Sequence, residues 1–262
     1  CEPDGNFPNH HPDPTVEENL IDLKTKVIAE KADLGIAFDG DADRIGVVDA
    51  QGEVIWGDKL MILLSRALLK EEPGATILGE VKCSKALYDD ITAHGGRAIM
   101  WKTGHSLIKA KMKEEDAALA GEMSGHIFFK HRYYGFDDAV YAGGRLLEIL
   151  SESDKTIAEM LSDVPKLLAT PEIRRDCPDE IKFQLVDKII QNFNAEEADP
   201  NIKVIDTDGL RLECPDGWGL VRCSNTQPIL VLRFEAQTHE RLEAIEKFFE
   251  EKISSAETQL NS

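Results

Sequence analysis

The spacing of apolar positions changes along this chain, and the changes mark out its elements. The first ~19 residues hold Pro3, Pro8, Pro12, Pro14 and Gly5 without any apolar period, which predicts an irregular opening. TVEENLIDLKTKVIAEKA (15–32) then spaces its apolar side chains as a helix does. Thr15 is its expected N-cap and Glu18 the capping-box partner. DLGIAF (33–38) and IGVVDA (45–50) read as strands on either side of DGDADR, with a turn at QGE (51–53). From Ala75 strands and helices alternate. ATILGEVKC (75–83) is a strand, SKALYDDITAHG (84–95) a helix closed by Gly95, and RAIMWK (97–102) a strand. HSLIKAKMKEED (105–116) is a helix, AALAGEM (117–123) a short strand and DDAVYAGGRLLEILSES (137–153) a helix. Such alternation predicts a parallel sheet covered on both faces, with sites at the carboxyl ends of its strands.

The pattern changes near LATPEIRRDCPDE (168–180). A helix at IKFQLVDKIIQNF (181–193) precedes short antiparallel strands around the turns TDG (207–209) and PDG (215–217). A strand at ILVLRFEA (229–236) and a helix at HERLEAIEKFFEEKISSAE (239–257) close the pattern. This predicts a separate small α+β domain from about Leu168 onward. The expected class is α/β: mixed or parallel α/β sandwich domains followed by a small α+β C-terminal domain.

Composition narrows the partners. The 262 residues are 42% hydrophobic and 30% charged, as in a globular protein. No apolar stretch approaches the ~18 residues that suggest a membrane span. The polar opening CEPDGNFPNHHPDP is not a signal peptide, and without an initiator Met the chain is expected to be a processed product or part of something longer. A net charge of −19 opposes general affinity for nucleic acid or an anionic membrane. Anionic metabolites remain possible partners where a metal ion or local Arg and Lys reverse the field. Cys1, Cys83, Cys177, Cys214 and Cys223 are odd in number and lack a CxxC pair, which argues against a disulfide framework or structural zinc and for a reducing cytosol.

Three stretches carry candidate chemistry. In DGDADR, the alternate carboxylates Asp39, Asp41 and Asp43 share a side of extended chain and repel one another unless a cation neutralises them. Oxygen-only ligation favours a hard ion such as Mg²⁺; a solvated acidic turn is the plain alternative. The EF-hand count fails, because Arg44 and Ala50 stand where Gly and Glu are required. In RCSNTQP (222–228), the Arg222 fork with Ser224, Asn225 and Thr226 suits a phosphate dianion or forms a polar hairpin. In GEMSGHIFF (121–129), Glu122, Ser124 and His126 suit sugar hydroxyls or form a capped polar loop; the spacing is wrong for a G-x-S-x-G nucleophile. Lys82, Lys102 and His105 lie near strand ends and helix starts, where anions are favoured. His10 and His11 near Cys1 have no ligand spacing to support a metal site.

Together, DGDADR, GEMSGH and RCSNTQP, in this order, resemble the α-D-phosphohexomutases, and within them the bifunctional phosphomannomutase/phosphoglucomutase group. CEPDGNFPNHHPDP, VKCSKAL, WKTGHSLIKAKMK and WGLVRCSNTQPILVLRFEA are similar to the same group, so the resemblance covers essentially the whole chain. It implies a four-domain enzyme that moves phosphate between C1 and C6 of a hexose through a phosphoserine and a 1,6-bisphosphate. It also implies cofactor Mg²⁺ on Asp39, Asp41 and Asp43, with Arg44 near the transferring group. Glu122 and Ser124 then match residues that hold the sugar hydroxyls, with His126 adjacent. Lys82 and His105 match sugar or phosphate contacts, and Arg222, Ser224, Asn225 and Thr226 match a clamp on the non-reacting phosphate. Glucose and mannose 1- and 6-phosphates are the implied substrates, hexose 1,6-bisphosphate the intermediate and activator, and the cytoplasm the implied location.

Two departures follow. Ala42 stands where the family motif usually reads Gly, and a positive φ there would cost about 1 kcal/mol or more. No T-x-S-H-N-P-type phosphoserine loop occurs; Ser65, Ser84, Ser106, Ser124 and Ser224 all lack that context. By resemblance, 1–53 is the rear part of domain 2, 54–167 domain 3 and 168–262 domain 4, and the isolated chain is expected to be inactive. A non-catalytic phosphosugar-binding protein is the alternative; a Ca²⁺ or DxD glycosyltransferase module fits the other two loops poorly. A partial first sheet also predicts association or partial disorder of the first ~50 residues, which slow amide exchange in a monomer would contradict.

Overall fold

The computed structural model describes residues 4–196 and 201–260, so Cys1 lies outside the described residues. The chain divides into two compact units between Val164 and Pro165.

The first unit opens differently from expectation. Thr15 is not a helix cap: its amide and hydroxyl both donate to Asp13 Oδ1, at 3.0 and 2.7 Å. With that hydroxyl engaged, Glu17–Leu20 forms a 3₁₀ turn whose N-cap, Val16, offers no side-chain bond. Helix α1 (Ile21–Glu30) follows and ends at Lys31 in the left-handed region, where Ala32 N–H reaches back to Val27 O.

Strands β1 (Leu34–Phe38), β2 (Ile45–Asp49) and β3 (Val54–Ile55) then form their own antiparallel sheet in the order β1-β2-β3. The short DGDADR link cannot make a parallel crossover, which needs a dozen or more residues. The aspartate loop is therefore a hairpin tip. Helix α2 (Gly57–Glu71), which the alternation from Ala75 did not include, carries the unbroken apolar run Leu60–Leu64 and keeps Lys59, Arg66 and Lys70 on one less buried side. Leu60, Met61, Ile62, Leu63, Leu64 and Leu68 are all buried, as expected of a helix enclosed by its own domain.

The main sheet comprises β4 (Thr76–Glu80), β5 (Arg97–Trp101), β6 (Leu119–Gly121), β7 (Ile127–Phe129) and β8 (Phe136–Asp137). Its order is β5-β4-β6-β7-β8, parallel across β5, β4 and β6 and antiparallel beyond. Helices α3 (Lys85–Ala93) and α4 (His105–Glu114) make the parallel crossovers, whereas residues 122–126 span only a hairpin. Helices α5 (Ala139–Ser151) and α6 (Ile157–Met160) complete the unit. One core joins Ile45 and Val47 of β2 to α2, the main sheet and α5 through Ala142 and Leu146. The small sheet is thus anchored to the larger one, and the carboxyl ends of β4, β5 and β6 share one edge.

The second unit is α+β. Strands β9 (Leu168–Ala169) and β10 (Ile173–Asp176) lead to α7 (Asp179–Glu196), followed by β11 (Lys203–Ile205), β12 (Leu210–Cys214), β13 (Gly217–Cys223) and β14 (Ile229–Ala236). Helix α8 (His239–Leu260) ends the described chain. The antiparallel order is β10-β14-β13-β12-β11, with β9 also on β14. Leu185 and Ile189 of α7 and Phe249 and Ile253 of α8 pack on one sheet face, against Leu212, Val221, Leu232 and Phe234. Among the described residues no helix is long and apolar enough to cross a membrane.

Ala42 has φ +61° at the tip of the aspartate hairpin. Replacing it by glycine removes the Cβ penalty there, partly offset by a looser unfolded chain. Ala42→Gly is expected to stabilise the chain by about 0.5–1 kcal/mol, read as a higher urea midpoint at unchanged m-value; a lower midpoint would count against strain at this residue.

Candidate functional site

Of the residues given a role by the resemblance, nine lie in the first unit and four in the second. In the first, two loops far apart in sequence meet edge to edge. Arg44 and His126 form an antiparallel bridge, and Ile45 N–H donates to Gly125 O at 3.0 Å. Gly125 sits at φ +94°, and any Cβ there would collide with Ile45 O. A glycine is required for both reasons.

This bridge sets the aspartates beside GEMSGH. Oxygens of Asp39, Asp41 and Asp43 all lie within 4.8 Å of one another. Asp39 is buried; its Oδ1 accepts from the amides of Asp43 and Arg44, and its Oδ2 from Arg44 Nε at 2.7 Å. Arg44 also reaches Asp13 Oδ1 at 3.2 Å, so the guanidinium is pinned from two sides. Burial raises the pKa of Asp39, but the Arg44 bonds outweigh it and hold the carboxyl below its usual range. Asp43 goes the other way: burial, a bond to Asp39 and the charges of Asp39 and Asp41 push it up, against the pull of His126. An all-oxygen set whose members repel one another fits a hard divalent cation.

Glu122 is buried at the end of β6. Its Oε1 accepts from Gly104 N–H (2.6 Å), just before His105 at the start of α4, and its Oε2 lies 2.8 Å from His126 Nδ1. Ser124 Oγ sits 3.1 Å from the same nitrogen. That carboxylate partner makes Nδ1 the donor and turns Nε2 toward Asp43, 3.3 Å away. Burial opposes a charge on His126, but Glu122, Asp43 and Asp137 outweigh it, so its pKa stands above the ordinary imidazole value. Burial likewise works against the Glu122 charge, and His126, Gly104 N–H and Lys82 more than offset it, holding the carboxyl low. The His105 ring stacks on His126 with centroids 5.8 Å apart, while Lys102 is exposed. His10 and His11 belong to neither group with metal-ligand spacing.

Two residues that matter here were not legible in sequence. Asp137, read as a helix start, pairs with Lys109 (3.0 Å) and lies 3.7 Å from His105 Nδ1, so it faces the site. Glu80, fully buried, is bonded by Lys82 N–H (2.8 Å), Thr103 Oγ1 (2.7 Å) and Met123 N–H (3.3 Å). One carboxylate thereby ties together the loops after β4, β5 and β6 that carry Lys82, His105 and Glu122. A doubled acid before α5 and an acid ending β4 were the only signals, and both occur commonly without such roles.

In the second unit, Arg222 ends β13 on the face opposite the helices. Its Nε donates to Asp208 Oδ2 at 2.8 Å, and its buried Nη2 has no hydrogen-bond partner among the described residues. A buried guanidinium donor left unpaired beside a polar loop suits a missing anion. Ser224 Oγ accepts from the amides of Thr226 and Gln227, which shapes the exposed tip at Asn225 and Thr226.

The fold and these loops define an α/β chain with a carboxylate triad in one unit and an arginine-bearing polar loop in the other. Three adjacent family models match it: phosphoglucomutase/phosphomannomutase alpha/beta/alpha domain II over 1–52, alpha/beta/alpha domain III over 56–168, and the C-terminal domain over 172–252. The chain belongs to the phosphoglucomutase/phosphomannomutase family. It is 50% identical over 260 residues to the phosphomannomutase/phosphoglucomutase of Pseudomonas aeruginosa, covering 99% of this chain and 55% of that protein. The chain therefore spans about half the length of the curated relatives it matches. A phosphoglucomutase/phosphomannomutase family protein from Burkholderia thailandensis superposes with TM-score 0.88 at 46% identity, over 97% of this chain and 53% of that one. The N-acetylphosphoglucosamine mutase of Aspergillus fumigatus, in complex with GlcNAc-6P and magnesium, shares the fold (TM-score 0.62, 16% identity, 92% of this chain and 52% of that one).

The charge of His126 is stabilised by folding, so its contribution is full below the unfolded pKa of about 6.5 and is lost as pH rises through the higher folded value. The stability difference between wild type and His126→Gln is expected to shrink from pH 6 to pH 9 in metal-free buffer. Imidazole NMR shifts should show the raised pKa falling when Mg²⁺ is added, because a cation on Asp43 opposes the imidazolium; an unchanged titration would separate His126 from the cation cradle.

Proposed function

We propose that this chain carries the metal-, sugar- and phosphate-binding parts of a phosphomannomutase/phosphoglucomutase, an isomerase that reversibly moves phosphate between C1 and C6 of a hexose. The observation that carries the reading is the placement of the three aspartates beside the Glu122–His126 pair across the Arg44–His126 bridge. The half-identical relative from Pseudomonas aeruginosa, and the magnesium and sugar phosphate bound by the Aspergillus fumigatus enzyme, support the same assignment.

Asp39, Asp41 and Asp43 would hold Mg²⁺, which when bound supplies positive charge to the oxygens of a phosphoryl group. The chain's own residues do the rest. Arg44, pinned by Asp39 and Asp13, presents a fixed cation beside that position. Lys82 and His105, on loops gathered by Glu80, contact the sugar phosphate, and Glu122 and Ser124 hold sugar hydroxyls through acceptor positions not spent on Gly104 and His126. Glu122 fixes the His126 tautomer, so Nε2 is placed to take the proton of an attacking hydroxyl and return it in the reverse step. Arg222, Ser224, Asn225 and Thr226 anchor the phosphate that does not react. Phosphoryl transfer asks chiefly for such positioning and charge neutralisation. The phosphoryl donor is a phosphoserine, giving a hexose 1,6-bisphosphate intermediate, and glucose and mannose phosphates are the substrates. We also propose the division 1–53, 54–167 and 168–262, and a cytoplasmic location in line with Cys83, Cys177, Cys214 and Cys223, which form no disulfide among the described residues. No T-x-S-H-N-P-type stretch lies in the 262 residues, which favours binding without turnover by this chain alone.

Calorimetric titration with glucose 1-phosphate in Mg²⁺ is expected to show binding that Arg222→Ala weakens about 10- to 100-fold, the worth of charge-assisted bonds to a phosphate. Equal binding by both proteins would remove Arg222 from the site. In a coupled assay the chain alone should not interconvert glucose 1- and 6-phosphate; turnover at an enzymatic rate would require a nucleophile within these residues.

A further inference from the structure

The loop between β13 and β14 rests on a lysine that the sequence pattern does not single out. Lys182, in the first turn of α7, is 3% exposed. Its ammonium has three oxygen partners: the carbonyls of Ser224 (2.7 Å) and Gln227 (2.9 Å), one on either side of the loop tip, and Asp179 Oδ1 (2.6 Å). Cys223 Sγ donates to the Lys182 carbonyl at 3.1 Å, tying the start of α7 to the end of β13. A buried ammonium is tolerated only when its donors are met, and each of the three N–H groups here has an acceptor.

The consequence lies in the peptide planes. A trans peptide sets its C=O and N–H on opposite sides, and the described chain has no cis bond. With Ser224 C=O turned in toward Lys182, the N–H of Asn225 is turned to the opposite side of the loop, where Asn225 is exposed. The next two amides, of Thr226 and Gln227, bond Ser224 Oγ within the loop. Asp179, the counter-ion of Lys182, is mostly in water (side chain 65% exposed), so solvent screens it more than the buried ammonium.

We propose that Lys182 is the positioning residue of the anion loop: by holding the Ser224 and Gln227 carbonyls it fixes the peptide planes on either side of the Asn225–Thr226 tip, and it sets a buried positive charge under that loop. This rests on the reading of Arg222–Thr226 as the phosphate anchor. The test is a titration of the ¹⁵N-labelled chain with glucose 1-phosphate in Mg²⁺, alongside Lys182→Met and Arg222→Ala. Lys182→Met keeps the straight apolar stem and removes the donors. In wild type the Asn225 amide should be among the signals that move most. Lys182→Met should weaken binding at least tenfold and abolish that shift while the β12 amides stay in place. A lysine that served stability alone would lower the melting temperature without changing which amides respond. If Arg222→Ala abolishes binding but the wild-type Asn225 amide does not respond, the inference is overturned without recourse to the lysine variant. It is equally overturned if folded Lys182→Met binds as wild type does. If Arg222→Ala itself binds normally, the anchor reading fails and the role of Lys182 falls with it.

Discussion

The first unit depends on one close approach of backbone to backbone. Gly125 O takes the amide of Ile45, and the Ile45 carbonyl lies where a side chain on residue 125 would begin. Through that contact the tip of the β1–β2 hairpin and the β6–β7 turn become one surface. The hydrophobic core makes the contact durable, because Ile45 and Val47 of β2 lie in the same apolar cluster as α2, the main sheet and α5. Without the core the two turns would have no fixed separation; without glycine they could not close. A carboxylate triad and a carboxylate–histidine pair thus come within hydrogen-bond range although nothing local in either turn demands it.

Electrostatics sets how a chain of net charge −19 arranges its charged loops. The repulsion is concentrated at Asp39, Asp41 and Asp43, where burial and neighbouring carboxylates already push Asp43 upward. A cation at the three carboxylates would relieve that repulsion. Around them stand held cations rather than a diffuse basic surface: Arg44 between Asp13 and Asp39, Lys109 on Asp137, and Lys82 near Glu122. In the second unit Arg222 pairs with Asp208 and Lys182 with Asp179, so the position of each cation is fixed by its partner. Such preorganisation lowers the cost of ordering these groups on binding.

The three loops, most helices and strands and the change of character near Leu168 were legible in the chain because each rests on local spacing. The errors have physical causes. Thr15 met the formal pattern of a cap, but Asp13, two residues away, captured its hydroxyl. Helix α2 carries the unbroken apolar run Leu60–Leu64, in which a helical period is hard to tell from a buried strand.

By itself the sequence determined which chemistry is present: oxygen donors in DGDADR, a carboxylate and imidazole in GEMSGH, and a guanidinium with hydroxyls in RCSNTQP. It also determined that strands would alternate with helices and deliver loops to one edge of a sheet. Only the tertiary structure decided which of these groups touch. Glu80 gathering three loops, Asp137 facing His105 and Lys182 under residues 224–227 are contacts between positions tens of residues apart. Their side chains carry no local pattern that distinguishes them from surface Glu, Asp and Lys. What selects them is burial: a charge withdrawn from water must find partners, and those partners are set by how the chain packs rather than by what lies beside it in sequence.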